Sequence, residues 1–205
     1  MPTFGKTCLG LLAALAISST AAGADIALSA PVTQGGEGIF TVLNARHSAL
    51  PSDFPLKSIT MQELSNLLWA ATGQNRNGNG WTVPFAMHRA PYNTIYVLMD
   101  SGTYRYDWQK NRLEEISSHD VRRNAGPQRI VGESPVVLVF VGQDGTAREY
   151  ADIAAGAMTQ NIYLAAASLG IEGRFVITMN ENALRQELKL KTEEYPVNLM
   201  LIGKK

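Results

Sequence analysis

Cysteine is almost missing from this 205-residue chain, and histidine is scarce: one cysteine and three histidines in all. The cysteine, Cys8, lies in an apolar N-terminal stretch. Once that stretch is removed, a disulfide framework, a thiolate nucleophile and a cysteine-ligated metal are all excluded. His47, His88 and His119 show none of the paired spacings that bring two imidazoles to one metal ion. Net charge is lacking too, because 18 basic side chains balance 18 acidic ones. Nothing therefore draws the chain generally to nucleic acid or to an anionic membrane. Beyond the first 24 residues no apolar run approaches the roughly 20 residues of a membrane span. A P-loop and a G-x-G-x-x-G fingerprint are both missing, so a Rossmann dinucleotide fold is not expected. Gly132-Glu133-Ser134-Pro135 carries proline where a nucleophile elbow needs glycine. Glu114-Glu115 and Glu193-Glu194 are adjacent pairs that read as solvent-facing, and Arg122-Arg123 reads as a solvated face.

What is present begins with a targeting pattern. Lys6, an apolar run from Leu9 to Ile17 and the small residues Ala22-Gly23-Ala24 read as a secretory signal cleaved near Ala24. A buried N-terminal helix or a retained anchor is the alternative. The expectation is a periplasmic or secreted protein of about 180 residues, free of the membrane after cleavage and large enough for one core. Residues 25–43 are rich in small side chains without periodicity, and read as a flexible arm or one that wraps a partner.

Thr60-Met61-Gln62-Glu63 fits a capping box, followed by Leu64, Leu67, Leu68 and Ala71 at helical spacing. Gly73 is expected to end that helix in the left-handed region, with a turn or mobile loop over Asn75 to Gly80. Thr94 to Met99 and Thr103 to Trp108 flank Asp100-Ser101-Gly102 and predict a hairpin. Pro135 to Val141 reads as a buried strand, and Tyr150 to Leu169 as a long buried helix ended by Gly170. Strands are expected at Phe175 to Met179 and Val197 to Ile202, with Asn180 capping a short helix through Leu190. The mixture is an α+β domain.

The stretch LLWAATGQNR, Leu67 to Arg76, lies between the triplet Arg46-His47-Ser48 and the segment Pro84-Phe85-Ala86-Met87-His88. Further along come Gly102 leading Tyr104-Arg105-Tyr106-Asp107, then Asp120-Val121-Arg122, then Gly156, Gln160-Asn161 and Leu169-Gly170 in the long helix. In that order these motifs resemble the nitroreductase family of FMN-dependent oxidoreductases, and within it the branch of thiazoline and oxazoline dehydrogenases. The resemblance covers residues 44–205. It implies a nitroreductase-like sandwich, a central sheet with flanking helices, that forms an intertwined homodimer with FMN at the interface.

It also implies a site. Arg46, His47 and Ser48 offer the guanidinium fork and hydroxyl that a flavin phosphate needs. Pro84, Phe85, Ala86 and His88 fall where relatives contact the ring, and backbone near Ile177 and Thr178 falls where N5 is contacted. Lys204 and Lys205 stand where relatives carry a basic residue in a longer tail. Several positions depart from the family pattern: Leu50 replaces a basic residue, Phe85 a serine, His88 an asparagine and Ala90 a glutamine. Two lost hydrogen bonds to a charged group correspond to roughly 3–6 kcal/mol, or about two to four decades of affinity. Two functions follow. One is an exported FMN oxidoreductase passing hydride through flavin N5 to or from a small organic substrate, with donor and acceptor unidentified and no catalytic side chain or metal needed. The other is a flavin-less, non-catalytic domain of the same fold that binds a small molecule or partner.

Overall fold

The computed structural model describes residues 24–84 and 90–205. Phe85, Ala86 and His88, and the signal segment up to Gly23, lie outside the described residues.

Seven strands form one antiparallel sheet in the order β1-β6-β5-β4-β7-β9-β8. They are β1 (Ile26–Ala27), β4 (Asn93–Met99), β5 (Gly102–Asp107), β6 (Arg112–Ser117), β7 (Val136–Gly142), β8 (Glu172–Val176) and β9 (Tyr195–Gly203). β2 (Gln74–Asn75) and β3 (Gly80–Trp81) make a separate small hairpin. Helices α2 (Met61–Thr72) and α4 (Arg148–Leu169) cover one face of the large sheet. The short α3 (Arg129–Gly132) and α5 (Glu181–Glu187) cover the other, while α1 (Ile39–Ala45) lies against α4. The result is the expected α+β sandwich.

Strand alternation explains the two cores. In β7, Val136, Leu138 and Phe140 face α2 and α4, whereas Val137, Val139 and Val141 face α3 and α5. A strand covered on both faces has no use for polar residues, hence the unbroken apolar run. On α2 the buried stripe Leu64, Leu67, Leu68 and Ala71 meets Ala154, Ala155, Met158 and Ile162 of α4. The alanines let the helix axes approach closely. Asn161 ties the layers together, its Nδ2 donating to the carbonyls of Ala70 (3.1 Å) and Thr82 (2.9 Å).

The capping box forms as the sequence predicts: Glu63 N–H donates to Thr60 Oγ1 (3.2 Å), and Thr60 N–H to the Glu63 carboxylate (2.8 Å). The 99–102 hairpin, β7, α4 and the left-handed Gly170 also form where expected. Other expectations need correcting. Gly73 is extended (φ −74°, ψ 150°), not left-handed. It is glycine because a Cβ there would lie 2.2 Å from Cδ1 of the Trp69 indole. The left-handed residues come later, at Arg76, Asn77 and Gly78, and they turn the β2–β3 hairpin. The Phe175 to Met179 strand is shifted, since β8 ends at Val176. Within residues 25–43, the stretch from Ile26 to Val32 contacts distant parts of the chain. Ile26–Ala27 pairs with β6, Leu28 N–H donates to Asn111 O (3.1 Å), and Val32 N–H to Asn66 Oδ1 (2.8 Å). Backbone and amide partners far along the chain hold this segment, which periodicity cannot reveal.

Asp120 and Arg122 fasten the end of the β4–β5–β6 meander to the start of β7. The Asp120 carboxylate receives Arg122 Nε (2.9 Å), Nη2 (2.7 Å) and backbone N–H (3.1 Å), while Nη1 donates to Ser134 O (2.8 Å). The Arg122 guanidinium outweighs partial burial and holds Asp120 below the usual aspartate range. A carboxyl depressed in the folded state stabilises fully above its ordinary value near 4, and that stabilisation is lost as acid protonates it. The pair is partly exposed, so Asp120→Asn should cost about 1 kcal/mol at pH 7. Urea unfolding should show this difference shrinking below pH 4.

Candidate functional site

The triplet Arg46-His47-Ser48 leaves the end of α1 as extended chain and runs along the outer edge of β8. Ala49 N–H donates to Gly173 O (2.9 Å), and Arg174 Nη1 donates back to Ala49 O (2.7 Å). α4 contributes Tyr163, a buried tyrosine in an alanine-rich helix. Its hydroxyl accepts the Phe175 N–H (2.7 Å) and lies 2.7 Å from Ser48 Oγ. With the phenol donating to Ser48, the serine hydrogen is free to point outward.

Three basic groups gather around this hub. The Arg46 guanidinium lies over the Tyr163 ring, 5.0 Å from its centroid, and has no carboxylate partner among the described residues. His47 places Nδ1 3.0 Å from Ala45 O and Nε2 3.0 Å from Glu172 Oε2. Both neighbours are acceptors, so both contacts are hydrogen bonds only when the ring carries both protons. Lys205 Nζ sits 3.4 Å from Asp53 Oδ1 and 3.5 Å from Glu172 Oε1. Desolvation works against the Lys205 charge, but Glu172 and Asp53 outweigh it and raise its pKa. Asp53 is itself lowered, chiefly by the Leu50 N–H donating to it at 2.7 Å. Arg174 adds a further cation, with its Nε buried and unpartnered. Arg46, Arg174 and Lys205 thus outnumber Asp53 and Glu172. A chain with no net charge has concentrated positive charge here, as an anion site requires.

A partly apolar groove adjoins the cluster. Phe175 and Ile177 are 39% and 67% exposed, and with Gly156, Pro196 and Val197, and the polar Arg148, Asp152 and Asn198 at its rim, they bound a cleft of about 320 Å³. A side chain at Gly156 would meet nothing within 4 Å, so the cleft is open on the α4 side. Tyr163 and Gly156 are seven residues apart, on one face of α4. Basic cluster and groove together suit a ligand with an anionic tail and a flat apolar body, which is the chemistry of FMN.

The predicted residues divide accordingly. Arg46, His47, Ser48 and Lys205 converge. Ile177 lines the groove and Thr178 follows it, exposed. Lys204 is committed elsewhere, its Nζ donating to Glu63 Oε1 at 2.6 Å. Pro84 is exposed at the margin of the described chain, and Leu50 is 60% exposed, offering no donor. Sequence reasoning missed Tyr163, Glu172, Asp53 and Arg174. One signal was readable: a tyrosine within an alanine-rich helix must find a partner for its hydroxyl.

The model of the Nitroreductase family matches residues 44–204. A candidate nitroreductase of Methanocaldococcus jannaschii is 32% identical over 165 residues, spanning 72% of this chain and 82% of its own length. Among solved structures, a candidate nitroreductase of Ralstonia eutropha JMP134 superposes with a TM-score of 0.79 at 33% identity, covering 88% of this chain and 89% of its own. A chain of the Escherichia coli microcin synthetase McbBCD complex shares the fold, with a TM-score of 0.64 at 14% identity over 98% of this chain and 85% of that one.

Tyr163→Phe tests the hub. It leaves the Phe175 N–H without its acceptor and should cost roughly 1 kcal/mol in urea unfolding, with an unchanged slope if the fold is intact.

Proposed function

The chain belongs to the nitroreductase family, and from that membership we propose that it is an exported, homodimeric oxidoreductase that uses FMN. The observation that carries the reading is the convergence of Arg46, His47, Ser48 and Lys205 beside an open apolar groove. Arg46 holds the phosphate through its guanidinium fork, and Ser48, oriented by Tyr163, donates its free hydrogen. Lys205 supplies further positive charge, and both it and His47 must loosen their contacts with Glu172 to meet a ligand. Phe175 and Ile177 would give the ring an apolar surface, and the backbone of Ile177 and Thr178 is the segment that the family resemblance assigns to N5. Held there by Arg46, Ser48 and Lys205, FMN would supply the redox chemistry of an oxidoreductase acting on a small organic substrate. The protein binds, orients and excludes water.

Exposed apolar side chains support the dimer. Ile39, Phe40 and Leu43 of α1 are 55%, 84% and 48% exposed, and Ile153 of α4 is 69% exposed. Such a concentration on helices flanking the candidate site is what a subunit interface would cover. The N-terminal signal pattern supports export to the periplasm or beyond.

The test is FMN titration of the purified mature protein, followed by flavin fluorescence, with sedimentation for its oligomeric state. Arg46→Ala should weaken FMN at least tenfold, as expected for a lost charge-assisted fork of about 1.5–3 kcal/mol. A colourless protein that takes up no FMN would defeat the reading and favour the flavin-less descendant.

A further inference from the structure

Only two asparagines in the chain are followed by glycine, Asn77 and Asn79, and both lie in the turn of the β2–β3 hairpin. Both are exposed, and neither carboxamide has a hydrogen-bond partner among the described residues. Other asparagines are held: Asn66, Asn111 and Asn161 each bond to backbone far along the chain. A free carboxamide before glycine is open to attack by the next backbone nitrogen, because no side chain there blocks the approach.

The two sites share a dipeptide but not a setting. Thr82 N–H donates to Gly73 O (3.0 Å), and the alternation of an antiparallel pair then gives Asn75 and Gly80 the next hydrogen-bonded place. Gly80 is also buried beneath the Arg76 guanidinium, where a Cβ would lie 1.8 Å from Nη2. Gly78 lies outside the ladder and is exposed, and a Cβ there would meet only Gln74 Oε1, at 4.0 Å. Asn77 is itself left-handed (φ 56°, ψ 40°), a sparsely populated region for a residue with a side chain, whereas Asn79 is not (φ −90°, ψ 6°). The turn is therefore held least well at Asn77-Gly78, where opening breaks no ladder bond.

We infer that Asn77 is a self-modifying site of the folded protein and that the hairpin protects Asn79 from the same reaction. The Gly78 nitrogen loses its proton and bonds to Cγ of Asn77. The Cγ–Nδ2 bond breaks, ammonia leaves, and a cyclic imide remains. Water then adds to either imide carbonyl and one C–N bond opens, leaving aspartate or isoaspartate. The only co-reactant is water, and the net change is an amide exchanged for an acid. Isoaspartate carries an extra methylene in the main chain, so the turn through Arg76, Asn77 and Gly78 no longer brings Asn75 opposite Gly80.

The test is ageing of the folded protein at neutral pH in ¹⁸O-water, followed by tryptic digestion in ordinary water and mass spectrometry. Cleavage after Arg76 and Arg89 releases one peptide holding both sites, and fragmentation tells them apart. Labelled acid should appear at position 77 roughly tenfold faster than at 79, because the ladder at Gly80 must open first. In urea, where neither ladder nor burial survives, the two rates should converge. The Thr82 amide, bonded to Gly73 O in fresh protein, should exchange faster in the aged form. Asn77→Gly should remove the fast site and still fold, since glycine accepts a positive φ. If that variant fails to fold, the wild-type peptide map decides alone. Equal rates at the two positions in the folded protein, a faster Asn79, or no label at position 77 would each overturn the inference. So would a rate ratio unchanged in urea, which would mean that neighbouring residues discriminate and the fold does not.

Discussion

Burial of the central strands on both faces is the constraint from which the rest of this structure follows. β4, β7 and β9 each send alternate side chains into two separate cores, and every residue of β7 is buried. At about 1.5–3 kcal/mol per fully buried Val, Leu or Phe, neither face can be left to water. One face recruits α2 and α4, whose alanines allow close approach. The other is closed by shorter pieces, α3, α5 and the Phe54 and Leu56 turn. Because α4 must run the length of the sheet, it carries Tyr163 to the triplet and Gly156 to the groove. The candidate site is thus built on the longest helix among the described residues.

A family likeness of this kind fixes architecture more firmly than chemistry. The matched residues 44–204 include Asn161, Asp120 and Arg122, and each of these holds backbone or ion-pair geometry rather than a ligand. The residues that bear on function are fewer, and they already have partners within the chain. Glu172 and Asp53 hold His47 and Lys205 in place, so in the proposed reading a phosphate would have to compete with these carboxylates. The same contacts would keep the cradle in shape, and exposed ion pairs are weak enough to exchange.

Much of the fold was legible in the sequence wherever a local rule applied. The Thr60–Glu63 box, the Asp100-Ser101 turn, the Gly170 stop and the β7 run are short-range patterns with a single structural meaning. Illegible parts depended on distant partners. β6 reads as a polar stretch because Glu114 lies between Arg105 and Arg112, an ion network no period reveals. Gly73 looked like a helix stop, but its need for glycine comes from the Trp69 ring. In the candidate site the triplet was legible by resemblance. Glu172 and Tyr163, 125 and 115 residues away from their partners, were not.

β8 is the last strand of the sheet, and its outward polar groups would otherwise form an open template for another chain. Gly173 O is taken by Ala49 N–H, and Phe175 N–H by Tyr163. Those partners come from the triplet loop and from the helix beneath it. The segment read as a phosphate cradle therefore also guards the sheet edge against strand addition. Damage to it would surface as aggregation during folding, so the loop has a structural use that does not depend on any ligand.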